Sequence, residues 1–376
     1  MIMTLLTTAA LALTFAAAFA ITALLVPPVQ RLCERRGWLA LPGGRRAHAR
    51  PTPNVGGIAI YVGFVLAVLG TLVLGALDPA LRRSPFEVLR LRQLLLGGTL
   101  IFLVMWLDDV RELPPLPKFA TQALAALIAV GPFLWDHGRY PDALGAPTEA
   151  RGIVLTAFNF PFVQQIPLWD YSPWLAIGAT VLWLGWMTNT INFSDGLDGL
   201  AAGVSLIAAV MLALNALRQP HPQYTIALLP LALAGACAGF LLFNFPPARI
   251  FMGDSGAEFL GYTLGVCAII GGAKLATMLL VLGVPILDVA WLIVARSAAG
   301  RSPAHSGRDH LHLRLQDLGF SARQIVVFYY ALSASFGLIG VFIYDLRLKL
   351  AALVLLGLIV ATTIVYAGRR GAVPAS

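Results

Sequence analysis

The sequence predicts an all-α polytopic membrane protein, a single integral domain of about 11 transmembrane helices with its chemistry on cytoplasmic loops, and three observations predict it. Hydrophobic residues make up 59% of the 376 and charged residues 12%, and the mean hydropathy is +0.81, which excludes a soluble globular domain. Apolar runs recur at about the 20-residue length that a helix needs to cross a bilayer. Polar residues collect between those runs, and the richest collections fall on one side.

The runs lie at roughly 5–28, 56–76, 93–107, 118–135, 173–189, 199–217, 224–243, 256–272, 275–296, 324–344 and 348–367. Only helices satisfy their own backbone over such lengths in lipid. The first run looks like a signal peptide, but it lacks a basic leading region and continues into Pro27-Pro28 and an arginine-rich loop. An uncleaved first helix is therefore expected. Cys33, Cys237 and Cys267 are far apart and form no C-x-x-C pair, which argues against a disulfide framework or a structural zinc site. The net charge of +8 sits in loops. It reads as a topology signal with affinity for anionic lipid headgroups, and no nucleic-acid partner is expected.

Lys and Arg are in excess on the segments that follow odd-numbered spans, which puts those segments and the tail "GRRGAVPAS" in the cytoplasm. The loop "DPALRRSPFEVLRLR" runs against this rule, because it places Arg82, Arg83, Arg90 and Arg92 on the outer face. The long outer segment at about 136–172, with "RGIVLTAFNF", is expected to form a small hairpin lying on the membrane.

Five polar clusters stand out: "RRAHARPTPNVGG", "LDDVRELPPLPK", "NTINFSDGLDG", "FNFPPARIFMGDSG" and "RSPAHSGRDHLHLRLQDLG". They follow spans one, three, five, seven and nine, so all face one side and imply one composite site. Asp108 and Asp109 are adjacent, Asp195 and Asp198 are three apart, and Asp254 lies in "MGDSG". Clustered carboxylates repel one another unless a cation joins them. Oxygen ligands favour magnesium, with manganese as the alternative, and such an ion leaves coordination positions for substrate phosphates. Gly196, Gly199, Gly253 and Gly256 flank the acids and let a phosphate approach the backbone. Lys118, Arg249, Arg301, Arg308 and Arg314 can supply counter-charge, so the expected guest is an anionic nucleotide.

Plainer roles compete for each residue. Asp108-Asp109 alone could be a solvated helix end, Lys118 a snorkelling lysine, and Asp195 or Asp198 an N-cap of the sixth span. Asn192-Phe193-Ser194 matches a glycosylation sequon. Asp288, inside the ninth span, is expected to bond a neighbouring helix. His310 and His312, two apart, would not face each other on a helix.

Taken together, "PTPNVGGIAIY", "WLDDVRELPPLPK", "NTINFSDGLDGLA", "FNFPPARIFMGDSG" and "RDHLHLRL", over roughly 30–320, resemble the polyprenyl-phosphate N-acetylhexosamine-1-phosphate transferases, of the glycosyltransferase 4 type. The resemblance is nearer to the WecA/TagO branch, which uses UDP-N-acetylglucosamine, than to the MraY branch, which transfers phospho-N-acetylmuramoyl-pentapeptide. It implies a multi-pass enzyme of the inner (plasma) membrane with a magnesium cofactor, a UDP-sugar donor and undecaprenyl phosphate as acceptor, with a homodimer left open. The implied reaction is the first membrane step of a cell-surface polysaccharide. By resemblance Asp254 leads the metal ligands with Asp108 beside it, and Asp109 and Lys118 serve the acceptor phosphate. Asn192, Asp195 and Phe251 would hold uridine, Asn244 and Asp198 would complete the polar floor, and Arg301, Arg308, His310 and His312 would recognise sugar and phosphate. Leu313 departs from the H-L-H-H pattern frequent in that branch. An ion-coupled transporter is the rival of a different class, since membrane carboxylates serve there too.

Overall fold

The computed structural model describes residues 5–41, 51–141, 147–160, 162–272, 275–298, 300 and 310–371. Four helices come first: α1 (Leu5–Arg36), α2 (Gly57–Leu77), α3 (Pro85–Arg111) and α4 (Pro115–Val130). A short α5 (Leu168–Tyr171) leads into α6 (Pro173–Ser194), α7 (Leu200–Leu217), α8 (Tyr224–Asn244) and α9 (Gly253–Ile270). After these come α10 (Leu275–Val281), α11 (Gly283–Ala298), α12 (Leu311–Asp317), α13 (Ala322–Phe342) and α14 (Leu346–Gly371). Strand is confined to short antiparallel pairs: β1 (Leu39–Ala40) with β2 (Thr52–Pro53), β3 (Tyr140–Pro141) with β4 (Pro147–Glu149), and β5 (Phe158–Phe160) with β6 (Val163–Ile166). The last two pairs occupy the segment expected to form one hairpin.

Several boundaries differ from expectation for local reasons. α1 runs on through Pro27-Pro28 to Arg36, because neighbouring helices can satisfy the backbone that a proline frees in a membrane. α3 begins at Pro85, not near 93, since Ser84 and Glu87 form a reciprocal capping box with proline in the first turn. The arginine-rich stretch from Pro85 onward is thus helix and not loop. The ninth expected span is broken, with α10 and α11 meeting at 83°.

Among the described helices, eight are long and apolar enough to cross a membrane, or nine if the bent pair counts as one. Tryptophans and polar motif residues lower the apolarity of α6, and Asp254 and Glu258 that of α9. Both fall outside that set, so the expected count of eleven is not established.

The bundle centres on α9, which is buried along nearly its whole length. Lipid tails are as apolar as leucine, so packing between spans relies on close backbone approach. Gly261 supplies it against Met187 and Thr188 of α6, and Gly256 lies backbone to backbone with Gly57 of α2. These approaches draw the ends of α2, α3, α6 and α9 together, and the motifs sit on those ends.

Candidate active site

The centre of the cluster is an ammonium shared by two carboxylates. Lys118, on the first turn of α4, pairs closely with Asp108 near the end of α3, and lies 3.0 Å from Asp254 Oδ2 at the start of α9. Asp108 is almost fully buried, whereas Asp254 is 38% exposed and Lys118 26%. The Leu113 amide donates to Asp108 Oδ1 at 2.6 Å, fixing the turn between α3 and α4. Asn192, from the end of α6, hydrogen-bonds the Asp254 side chain.

Asp109 faces the other way and ties α3 to the first turn of α9. It accepts the Asp254 amide at 2.7 Å, the Ser255 amide at 3.1 Å and the Ser255 hydroxyl at 2.6 Å. A carboxylate on unpaired amides at a helix N-terminus is favourable in hydrogen bonding and in the helix dipole. Its consequence is orientation: the backbone that carries Asp254 is pinned from below. Gly253 precedes it at φ +71°, where any Cβ would run into the Asn54 carbonyl and the Asp109 carboxylate.

Further backbone bonds fasten the remaining loops. Phe251 donates its amide to the Pro53 carbonyl at 2.8 Å and accepts from Gly56 at 2.9 Å, so the "PTPNVGG" loop sets the position of the phenyl ring. Asn244 is buried, accepting from the Gly199 amide at 3.0 Å and donating to the Ile250 carbonyl at 2.9 Å. Asp198 accepts the Ala248 amide at 2.8 Å. Together they zip the "SDGLDG" loop to the "FNFPPARIF" loop. Neither Asp195 nor Asp198 caps α7, whose N-cap is Gly199 at φ +76° without a side-chain cap. Arg249, in the loop after α8, turns back on that helix, over the Phe243 ring at 4.9 Å and onto the Leu242 carbonyl at 3.0 Å.

The fifth cluster joins through histidine. His310 adopts an extended backbone (φ −63°, ψ 143°) as the N-cap of α12. The expectation that His310 and His312 cannot face each other is therefore corrected: their rings stack with centroids 5.4 Å apart. Asp288 of α11 bonds His310 Nδ1 at 3.0 Å and accepts the Leu311 amide at 2.8 Å. It holds this segment and not a neighbouring span, as first expected. His310 lies 5.7 Å from Phe193, ring to ring, and a Cβ at Gly196 would stand 2.6 Å from His312 Nε2. Burial pushes the His312 imidazole down to about 4, so it is neutral at pH 7. Arg301 and Arg308 lie outside the described residues.

The five motifs thus form one connected set. The cluster also contains residues that motif reading missed. Glu258 is buried one turn below Asp254, accepting from Gln122 at 3.0 Å, and Gln122 in turn accepts from Asn189 at 2.7 Å. The signal was present as helical spacing, because Glu258 follows Asp254 and Gln122 follows Lys118 by four residues.

A metal at the centre can be tested on the donor set. Asp108 and Asp254 offer only carboxylate oxygen toward a point that already draws a cation, which fits a hard divalent ion such as magnesium. Asp288, His310 and His312 also bring ligand-type atoms within 4.8 Å of one another. That nitrogen-bearing set suits magnesium poorly, and His310 is already engaged.

Known proteins resemble this chain over most of its length. The description "Glycosyl transferase family 4" matches residues 91–272. A probable undecaprenyl-phosphate N-acetylglucosaminyl 1-phosphate transferase of Bacillus subtilis is 29% identical over 352 residues, 92% of this chain and 88% of that protein. A decaprenyl-phosphate N-acetylglucosaminephosphotransferase of Mycolicibacterium smegmatis is 35% identical over 325 residues, 80% of this chain and 74% of its own. A phospho-N-acetylmuramoyl-pentapeptide-transferase of Moorella thermoacetica is 32% identical over 343 residues, 86% and 95% of the two chains. With identity of this extent over most of both chains, the chain belongs to glycosyl transferase family 4, the polyprenyl-phosphate N-acetylhexosamine-1-phosphate transferases.

Proposed function

We propose that the protein transfers N-acetylglucosamine 1-phosphate from UDP-N-acetylglucosamine to undecaprenyl phosphate, releasing UMP, on the cytoplasmic face of the plasma membrane. The observation that supports this is the Asp108–Lys118–Asp254 cluster, part-exposed at Lys118 and Asp254 and built from two of the five motifs, to which the other three are linked. An oxygen of the lipid phosphate attacks the sugar-bearing phosphorus, and the anhydride bond to UMP breaks as the new one forms. One anhydride replaces another, so the reaction is reversible without further energy input.

Asp108 and Asp254, the latter oriented by Asn192, would hold magnesium, which would supply charge neutralisation on the pyrophosphate oxygens. Lys118 draws the acceptor phosphate and offsets its charge. The phosphate monoester has a second pKa of about 6, so it arrives at neutral pH mainly as a dianion and needs no general base. Asp109 suits a positioning role, because both of its oxygens are occupied by the first turn of α9. Phe251 and Asp195 hold uracil by stacking and by hydrogen bonding, and Asn244 and Asp198 keep their loops in register beneath it. Arg301, Arg308, His310 and the neutral His312 close on the sugar and its phosphate.

The relatives of Bacillus and Mycolicibacterium support the N-acetylglucosamine donor, while the Moorella relative keeps a muramoyl-pentapeptide donor as the second reading. The deciding measurement is UMP release by purified protein with undecaprenyl phosphate and magnesium. Turnover of UDP-N-acetylglucosamine is expected, and turnover of UDP-N-acetylmuramoyl-pentapeptide alone would overturn the assignment.

A further inference from the structure

The arginines of "DPALRRSPFEVLRLR" oppose the charge rule, and the transferase site does not use them. They sit at the far end of the bundle. α3 has 27 residues, about 40 Å at roughly 1.5 Å per residue, so Arg82 and Arg83 lie a full bilayer away from Asp108 at its other end.

Their surroundings differ from those of Arg90, whose guanidinium is fastened to the Gly152 and Ala150 carbonyls. Arg82 and Arg83 line a cavity of 490 Å³ whose other walls include Leu72, Gly75, Ala76 and Val88. Arg82 is exposed, and its guanidinium makes no hydrogen bond or ion pair among the described residues. Arg83 donates one bond, to the Thr71 hydroxyl at 2.8 Å, while its Nη1 is buried without a partner. Glu87 attracts Arg83 without bonding to it, since its oxygens take the Ser84 amide at 2.7 Å and the Thr225 hydroxyl, so the guanidinium donors stay available. Burial lowers the Arg83 pKa from the ordinary guanidinium value, the mark of a cation partly stripped of water. Leu72 and Val88 at the rim are 43% and 38% exposed.

Two guanidinium groups with spare donors, set against an apolar wall at the end of a span, match a phosphate carried on a hydrocarbon chain. We propose that this cavity binds one anionic phospholipid, its phosphodiester on Arg82 and Arg83 and an acyl chain along Leu72, Ala76 and Val88. The arginines then sit on the outer side because a lipid neutralises them there, which removes their conflict with the topology.

Native mass spectrometry of the whole detergent-solubilised protein tests this with phosphatidylglycerol, phosphatidylcholine and inorganic phosphate as probes. One tightly retained phosphatidylglycerol is expected, with Arg82→Ala/Arg83→Ala weakening retention about tenfold or more. Equal retention by the double variant overturns the proposal, as does equal retention of phosphatidylcholine, displacement by inorganic phosphate, or preference for polyprenyl phosphate. Arg83 also supports the loop through Thr71, so Arg82→Glu is the control for folding. Arg82→Glu must lose phosphatidylglycerol while its elution profile and UMP release stay those of the wild type, and retention of the lipid by that variant overturns the site.

Discussion

At the motif end of the bundle Asp108 and Asp254 face the same Lys118 ammonium, whereas at the other end Asp136 and Asp170 each have partners of their own. Asp136 accepts from the Tyr140 hydroxyl at 2.5 Å and from Arg151 at 3.3 Å, and Asp170 pairs with Arg139, which also lies over the Trp169 ring. The Tyr140 hydrogen bond holds the Asp136 carboxyl below the usual carboxylate range. Both regions are polar and both sit on an apolar bundle, so polarity does not tell them apart. Charge balance does: the first region sets two acids on one lysine, an excess of negative charge that suits a further cation. The second is a self-neutralised cover.

The comparison can be broken most directly at Asp254. If the shared carboxylates are the working centre, Asp254→Asn lowers UMP release about a thousandfold with an unchanged elution profile. Excess EDTA has a similar effect on the wild type, and full activity in EDTA would remove the metal from the reading. Asp109→Asn is the next largest effect, about tenfold to a hundredfold, because it loosens the α9 turn without removing a reacting group. Its rate should show no new pH dependence between about pH 7 and 9, a window above the phosphate pKa of about 6. A loss rescued steeply by rising pH would restore a general-base role.

Asp288→Asn sharpens the histidine side. It frees the Asp288–His310 contact and is expected to raise the KM for the UDP-sugar about tenfold while UMP binding, read by isothermal calorimetry, stays within about twofold. Equal weakening of both would move the histidines to the nucleotide end.

Asp136→Asn, at the opposite end, should leave turnover within about twofold. Because the Asp136 pKa is depressed, its stabilisation is present above the unfolded value of about 3.9 and is lost as pH falls through the lower folded value. The wild type should therefore lose more of its Tm than the variant between about pH 5 and about pH 3. A large loss of activity at neutral pH would erase the distinction between the two ends.

Much of this was legible in the chain itself. Hydrophobic runs of bilayer length dictate helices, since lipid offers no partner to an unpaired backbone. The alternation of those runs places all five polar clusters on one side, and their residue types call for phosphate chemistry around a hard cation. Asp108, Lys118 and Asp254 were visible as candidates because ionisable groups beside membrane spans are rare.

Side-chain direction was not legible. Adjacent Asp108 and Asp109 look equivalent in sequence, yet successive helical positions point about 100° apart, so one meets Lys118 and the other clamps α9. Asn244 and Asp198 look like ligand contacts, and their loop-to-loop bonds exist only once α6, α8 and α9 are packed. The stacked histidines depend on an N-cap backbone that helical periodicity cannot anticipate. The chain by itself therefore determined which residues could bear chemistry and on which face, because hydrophobicity and chain reversal are properties of local sequence. Only the tertiary structure decided which of them share a cation and which merely hold the others in place, because the pairings of Lys118 and Asp109 with the first turn of α9 join residues more than a hundred positions apart, beside close backbone contacts at Gly57, Gly253, Gly256 and Gly261.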